Sequence, residues 1–154
     1  MHGILYKPSV MGATNSFESE VLRHILLNED IADIGDTAGL LGAVSEGNVY
    51  ICLLTQDPGE PGAITNEATF TGYTRIVVPR GATGWTEAGG QARNYDNVNF
   101  PECTGGSETI THFGVCKTLT GDDMILHGEL DSPALVSSGV QLQFTANQLT
   151  INID

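Results

Sequence analysis

Residues 48–62 read NVYICLLTQDPGEPG. Val49–Leu54 is a continuous apolar run that stops at Asp57-Pro58-Gly59, a combination that forces the chain to turn. A strand that is apolar at successive positions presents a dry surface on both faces and has to be covered on both. The pattern predicts a central, doubly buried strand, with Asp57-Pro58-Gly59 as the turn that opens a β body.

The rest of the chain is punctuated in the same way. Strand patterns cover 69–78, 97–100, 109–117, 124–130, 140–145 and 149–153, separated by Gly81–Gly84, Gly89-Gly90, Gly105-Gly106, Gly121-Asp122 and Ser138-Gly139. The last two strands have a clean period of two. Val140, Leu142 and Phe144 alternate with Gln141, Gln143 and Thr145, and Leu149, Ile151 and Ile153 alternate with Thr150, Asn152 and Asp154. No helical pattern intervenes between the later strands, which excludes a parallel sheet built from crossover helices. About seven short strands at this spacing predict a mainly β fold, an antiparallel β-sandwich or a jelly-roll-like barrel.

Helix signals are confined to the beginning of the chain. Asn15 as N-cap and Glu18 three residues later form a capping-box pattern, and Phe17, Val21, Leu22, Ile25 and Leu26 recur at helical spacing as far as Asn28. A second short helical piece is expected over 37–41. Residues 1–14 hold Gly3, Pro8 and Gly12, which oppose a helix, yet carry Ile4, Leu5, Tyr6, Val10 and Met11. A free arm is usually polar, so an apolar one is expected to dock on the body of the chain or, by preference, on a neighbouring subunit. The expected organisation is an arm over 1–15, a helical segment over 16–47 and a β body over 48–154.

Composition narrows the function. The formal net charge is −13, and the six Lys and Arg are scattered. Phosphate backbones and anionic membranes need clustered positive charge, so neither nucleic acid nor a membrane is an expected partner. Cys52, Cys103 and Cys116 are odd in number and lack C-x-x-C spacing, which predicts reduced cysteines packed as small hydrophobes. The opening MHGILYKPSVMG has no basic region leading into a long apolar one and does not read as a signal peptide. No stretch reaches membrane-span length, and a soluble protein is expected.

No catalytic constellation emerges. His112 and Cys116 share a strand pattern, but four residues along a strand span about 13 Å, too far to hold one small ion. The Asp30, Asp33 and Asp36 spacing does not match a calcium loop and reads as a solvated, turn-forming acidic stretch. Neither a nucleophile elbow nor a phosphate-binding Gly-rich loop is present. The expectation is therefore not an enzyme, without cofactor or metal. Tyr73, Trp85, Tyr95 and Phe100 are candidate aromatic anchors, either in the core and at a subunit interface or as a row that stacks on glycans.

The order of segments then carries a resemblance. VYICLLTQDPGEPG is followed by TGYTRIVV, a lone Trp85 in TGW, FPECTGGSETITHFGVC, MILHGEL and GVQLQFTANQLTINID. This order over roughly 16–154 resembles a family of small virion proteins of tailed bacteriophages. Gly72-Tyr73-Thr74-Arg75, Thr111-His112-Phe113 and Leu126-His127-Gly128 carry most of the likeness. The chain departs from the pattern in residues 1–15 and at Leu54, where members often carry His. The resemblance implies a virion structural role. The first expectation is a homotrimeric capsid decoration, or cement, protein on the head exterior, clamping the major capsid protein or another virion protein through Ile4, Leu5, Tyr6, Val10, Met11 and Phe17. The alternative is a tail-fibre or baseplate component that binds host surface glycans.

Overall fold

A computed structural model describes residues 12–153. Helix α1 (Asn15–Leu22) is capped by Thr14, one residue earlier than the sequence pattern places it. The Thr14 hydroxyl accepts from Phe17 N and its carbonyl from Glu18 N. The helix widens into a π-helical turn, Arg23–Leu27, and stops at Asn28, whose left-handed φ of 61° ends it. Leu22 and Leu26 are buried, and Phe17 is exposed. The expected second helix over 37–41 does not form. Asp36 Oδ1 instead accepts from Ala38 N and Gly39 N, and Leu40 exchanges backbone hydrogen bonds with Ile31 across a short bridge. An Asp side chain that offers the backbone a turn competes directly with helix formation.

Nine strands follow: β1 (Asn48–Leu54), β2 (Ile76–Pro79), β3 (Trp85–Ala88), β4 (Gln91–Asn94), β5 (Val98–Asn99), β6 (Ser107–Cys116), β7 (Met124–Ser137), β8 (Gln143–Phe144) and β9 (Thr150–Ile151). They form three antiparallel sheets ordered β2-β1-β6-β7, β3-β4-β9 and β5-β8, with no closed barrel among the described residues. Of the two expected architectures, the sandwich-like one is observed. No described helix is long and apolar enough to cross a membrane.

Several strand expectations change in detail: those over 140–145 and 149–153 shrink to β8 and β9, and the one over 124–130 lengthens to Ser137 in β7. The strand expected over 69–78 is only β2, because Gly72 (φ 100°) bends the chain where a Cβ would lie 2.8 Å from the Glu102 carbonyl. The β3–β4 hairpin is absent from the sequence expectation, since each of its strands has few apolar residues. Its two-residue loop is Gly89-Gly90, both at positive φ, as a tight hairpin requires.

β1 is central and buried on both faces. Val49, Ile51 and Leu53 enter the main core with Leu22, Leu26, Trp85, Phe100, Val115 and Leu149. Cys52 and Leu54 face the other way, into a second cluster with Cys116, Tyr50 and Met124. All three cysteines are free and buried, with Cys52 Sγ 3.7 Å from Cys116 Sγ.

Arg75 is buried close to the Cys52–Cys116 pair. Its guanidinium donates to Glu67 Oε1 and Oε2 (2.8 and 2.9 Å), the Thr118 and Gly121 carbonyls (2.9 and 2.7 Å) and Asp123 Oδ1 (3.3 Å). These bonds use all five of its donors. Tyr73 extends the network by donating to Glu67 Oε1 while its oxygen accepts from Leu53 N of β1. The Glu67 hydrogen bonds and the surrounding negative charge outweigh desolvation and push the Arg75 pKa up. Breaking a buried pair from one side strands the other charge, so Arg75→Met is expected to cost about 3–5 kcal/mol. The Arg75→Met, Glu67→Gln double variant should recover part of that loss. Urea unfolding monitored by Trp85 fluorescence measures both, and two single-variant costs that simply add would count against the clamp.

Helix α1 is docked on the β3–β4 hairpin by Glu87, which accepts from Ser19 Oγ, Arg23 Nε and Gly90 N. Burial by itself would raise the Glu87 pKa, but these hydrogen bonds and the Arg23 charge together hold it below the ordinary carboxylate value. A depressed native pKa contributes stability above the unfolded value of about 4.3 and loses it as pH falls through the native one. The midpoint of thermal unfolding should therefore drop on acidification below about pH 4.3. In Glu87→Gln that acid limb should be shallower.

Candidate functional site

The site begins with a break in the β6–β7 ladder. Ile110 pairs with Ala134 and His112 with Glu129, so the single residue Thr111 on β6 faces Leu130, Asp131, Ser132 and Pro133 on β7. Extra residues in one strand of a pair must bulge out and re-aim their side chains. Pro133 suits this place, because it has no N–H to give to a ladder.

The bulge opens one wall of a groove of about 460 Å³, whose opposite wall is Gln143–Thr145 and Gln148–Thr150. Phe113 and Phe144 lie within it, their rings edge to face with centroids 5.7 Å apart. A second hollow of about 230 Å³ continues the groove past Phe113, Glu129 and Thr150 towards His127, Gly128 and Asn152. Gly128 belongs to the site by what it lacks. A Cβ there would come 2.9–3.0 Å from the Phe113 ring, so only glycine lets that ring lie across β7.

The chemistry of this lining is uniform. Two carboxylates (Glu129, Asp131), two side-chain amides (Gln143, Gln148) and three hydroxyls (Ser132, Thr145, Thr150) surround two aromatic rings, of which Phe144 is half-buried and Phe113 belongs to the buried core, without a Lys or Arg in the first groove. Such a surface can donate to and accept from hydroxyl groups and pack against apolar ring faces, and it repels anions. Its size falls in the range of small-ligand sites.

The residues singled out from sequence lie elsewhere. Trp85 and Phe100 are buried core residues, and Tyr73 is half-buried, its ring stacked on Phe100 at 6.4 Å and its hydroxyl occupied by Glu67 and Leu53. Only Tyr95 of the four is exposed, so the expected glycan-stacking row of aromatics does not exist on the surface. The physical reason is volume: the largest rings fill the space between the sheets. Trp85 Nε1 has no hydrogen-bond partner among the described residues, in keeping with a residue placed for its bulk. Phe17 is exposed on α1. Ile4, Leu5, Tyr6, Val10 and Met11 lie outside the described residues.

His112 pairs with Glu129 and His127 with Gly114, so these two histidines do not face each other across the hairpin. His127 Nδ1 instead approaches Asp57 Oδ1 at 3.9 Å. No group of three His, Cys, Asp or Glu side chains among the described residues converges as a metal site would. Sequence reasoning missed the groove residues Glu129, Asp131, Gln143, Gln148, Phe113 and Phe144. The one local signal was Pro133 two residues beyond Asp131, which marks a bulge without showing what faces it.

Comparison with known proteins adds the family. No curated protein matches the chain. Residues 38–152, which include every described strand and the groove, match the model of the family described as Podophage GP4 fiber I protein gp80. With all nine strands inside that match, the chain belongs to the podophage GP4 fiber I protein gp80 family, and so to the small fibre-like virion structural proteins of phages.

Proposed function

We propose that the chain is a tail-fibre component whose β7–β9 groove binds a neutral saccharide of the host surface. The groove lining carries this reading: carboxylates, amides and hydroxyls over two aromatic rings, with no cation. Sugar hydroxyls need paired donors and acceptors, and sugar ring faces need an apolar partner. An acidic saccharide or phosphate would meet Glu129 and Asp131 without compensation, in a protein of net charge −13. The family description names a fibre, so it supports the tail reading of this chain better than a cement role on the head.

In this reading residues 48–154 form the body that carries the groove. Residues 1–15 and the helical segment 16–47 hold the chain to a neighbouring virion protein. Self-association, as a homotrimer, fits the cyclic symmetry that fibres and other virion appendages need.

An array of neutral and of sialylated or phosphorylated oligosaccharides tests the groove. Binding is expected among the neutral members only. Asp131→Ala should weaken it at least about tenfold and Gln143→Ala about fivefold, because a hydrogen bond with a charged partner contributes roughly 1.5–3 kcal/mol and a neutral one about 1 kcal/mol. Both side chains are exposed, so the melting temperature should stay unchanged. Exclusive binding of anionic glycans, or neutral binding indifferent to both substitutions, would overturn the proposal.

A further inference from the structure

Between the helix and β1 the chain makes an excursion, residues 28–46, whose shape is fixed by its own side chains. Asn28 Nδ2 donates to the Ala43 carbonyl (2.9 Å) while Asn28 Oδ1 accepts from Ala43 N (2.7 Å), closing the base of the loop. Asp30 Oδ1 accepts from Gly42 N at 2.6 Å, and Asp36 makes the turn before Leu40. Two glycines permit the close chain crossings. A Cβ on Gly39 would fall 1.9 Å from the Ile31 carbonyl, and one on Gly42 2.4 Å from that of Asn28.

Ile31 is buried and anchors this frame, while Ile34, Leu40, Leu41 and Val44 are exposed. Leu41 keeps 64 % of its surface and Val44 is wholly exposed. A fixed loop that holds four large aliphatic side chains in water keeps apolar area in reserve for a contact. Because the loop is already ordered, docking it costs less conformational entropy than docking a flexible tail.

The charge around the loop selects the partner. Glu29, Asp30, Asp33, Asp36 and Glu46 surround the aliphatic residues, and no Lys or Arg occurs anywhere from 24 to 74. A second copy of this chain offers little to complement them. Arg75 is buried in its clamp, Arg23 is held by Glu87, and Arg80 donates to the His24, Ile25 and Glu46 carbonyls, which leaves Arg93 and Lys117 as the other exposed cations among the described residues of a chain whose net charge is −13. Like charges across an interface oppose association. We infer that residues 28–46 form a preorganised plug for an apolar recess rimmed by Lys and Arg on a different virion protein. This uses only the chain's place in a virion and is independent of the saccharide groove.

The test is complementation of a phage that lacks this gene with plasmid-supplied protein, counting copies per purified particle by gel densitometry. Leu41→Ser with Val44→Ser should reduce incorporation at least tenfold. Asp33→Asn with Asp36→Asn, which keeps the turn-forming oxygen, should reduce it several-fold. Melting temperature and circular dichroism of the purified variants should match the parent, since the altered side chains are exposed. Release of the parent protein from particles should rise with salt. Full incorporation of the aliphatic variant would overturn the inference. So would a self-association of the free protein, seen by light scattering, that the same substitutions abolish, because the loop would then bind a second copy.

Discussion

The two-sided burial of β1 is the constraint on which the rest of the fold depends. Once Val49, Ile51 and Leu53 point one way and Cys52 and Leu54 the other, neither face can be left wet, and both edges must be paired. β2 and β6 supply the edges. The helix and the two smaller sheets cover the first face. Tyr50 and Met124 pack on the second, and a buried polar network joins Arg75 to Glu67, Asp123 and the chain around Thr118 and Gly121. That network accounts for the Gly-Tyr-Thr-Arg motif physically: Gly72 makes the bend, Tyr73 reaches the β1 backbone from the first face, and Arg75 satisfies the Thr118 and Gly121 carbonyls.

The same sheet has an edge at β7, and edges invite unwanted pairing. Here the bulge, Asp131 and Pro133 interrupt the edge where it approaches the C-terminal segment. The interruption also creates the groove, because residues removed from the ladder are free to line a cavity. Protection of the edge and construction of a binding surface are thus one structural event. Gly128 completes it by letting the Phe113 ring occupy the floor.

Much of this was readable from local pattern. The apolar run of β1, the turn at Asp57-Pro58-Gly59, the alternation in the last two strand regions and the helix ending at Asn28 all depend on neighbours within a few residues. What was not readable failed for identifiable reasons. The 37–41 helix lost to an Asp36 side chain that bonds the backbone locally. The β3–β4 hairpin has too few apolar residues to announce itself, and it is held by Trp85, Ala92 and Asn94 packing inward. Asn94 Oδ1 accepts from Leu149 N across the chain, a pairing no local window contains. The aromatics left core, interface and glycan-stacking readings open because sequence gives ring size but not which side of a sheet a ring faces.

By itself the sequence determined that this is an antiparallel β protein built around one doubly buried strand and introduced by one helix, since strand and helix periods are properties of adjacent residues. Its ordered motifs also pointed to a virion structural family, a likeness that residues 38–152 bear out. Only the tertiary structure decided which rings are core, that Arg75 is a buried clamp, and where a groove lies. Those outcomes depend on the offset between β6 and β7 and on contacts between residues tens of positions apart. Such offsets are set by how whole strands pack, and no single stretch of the chain records them.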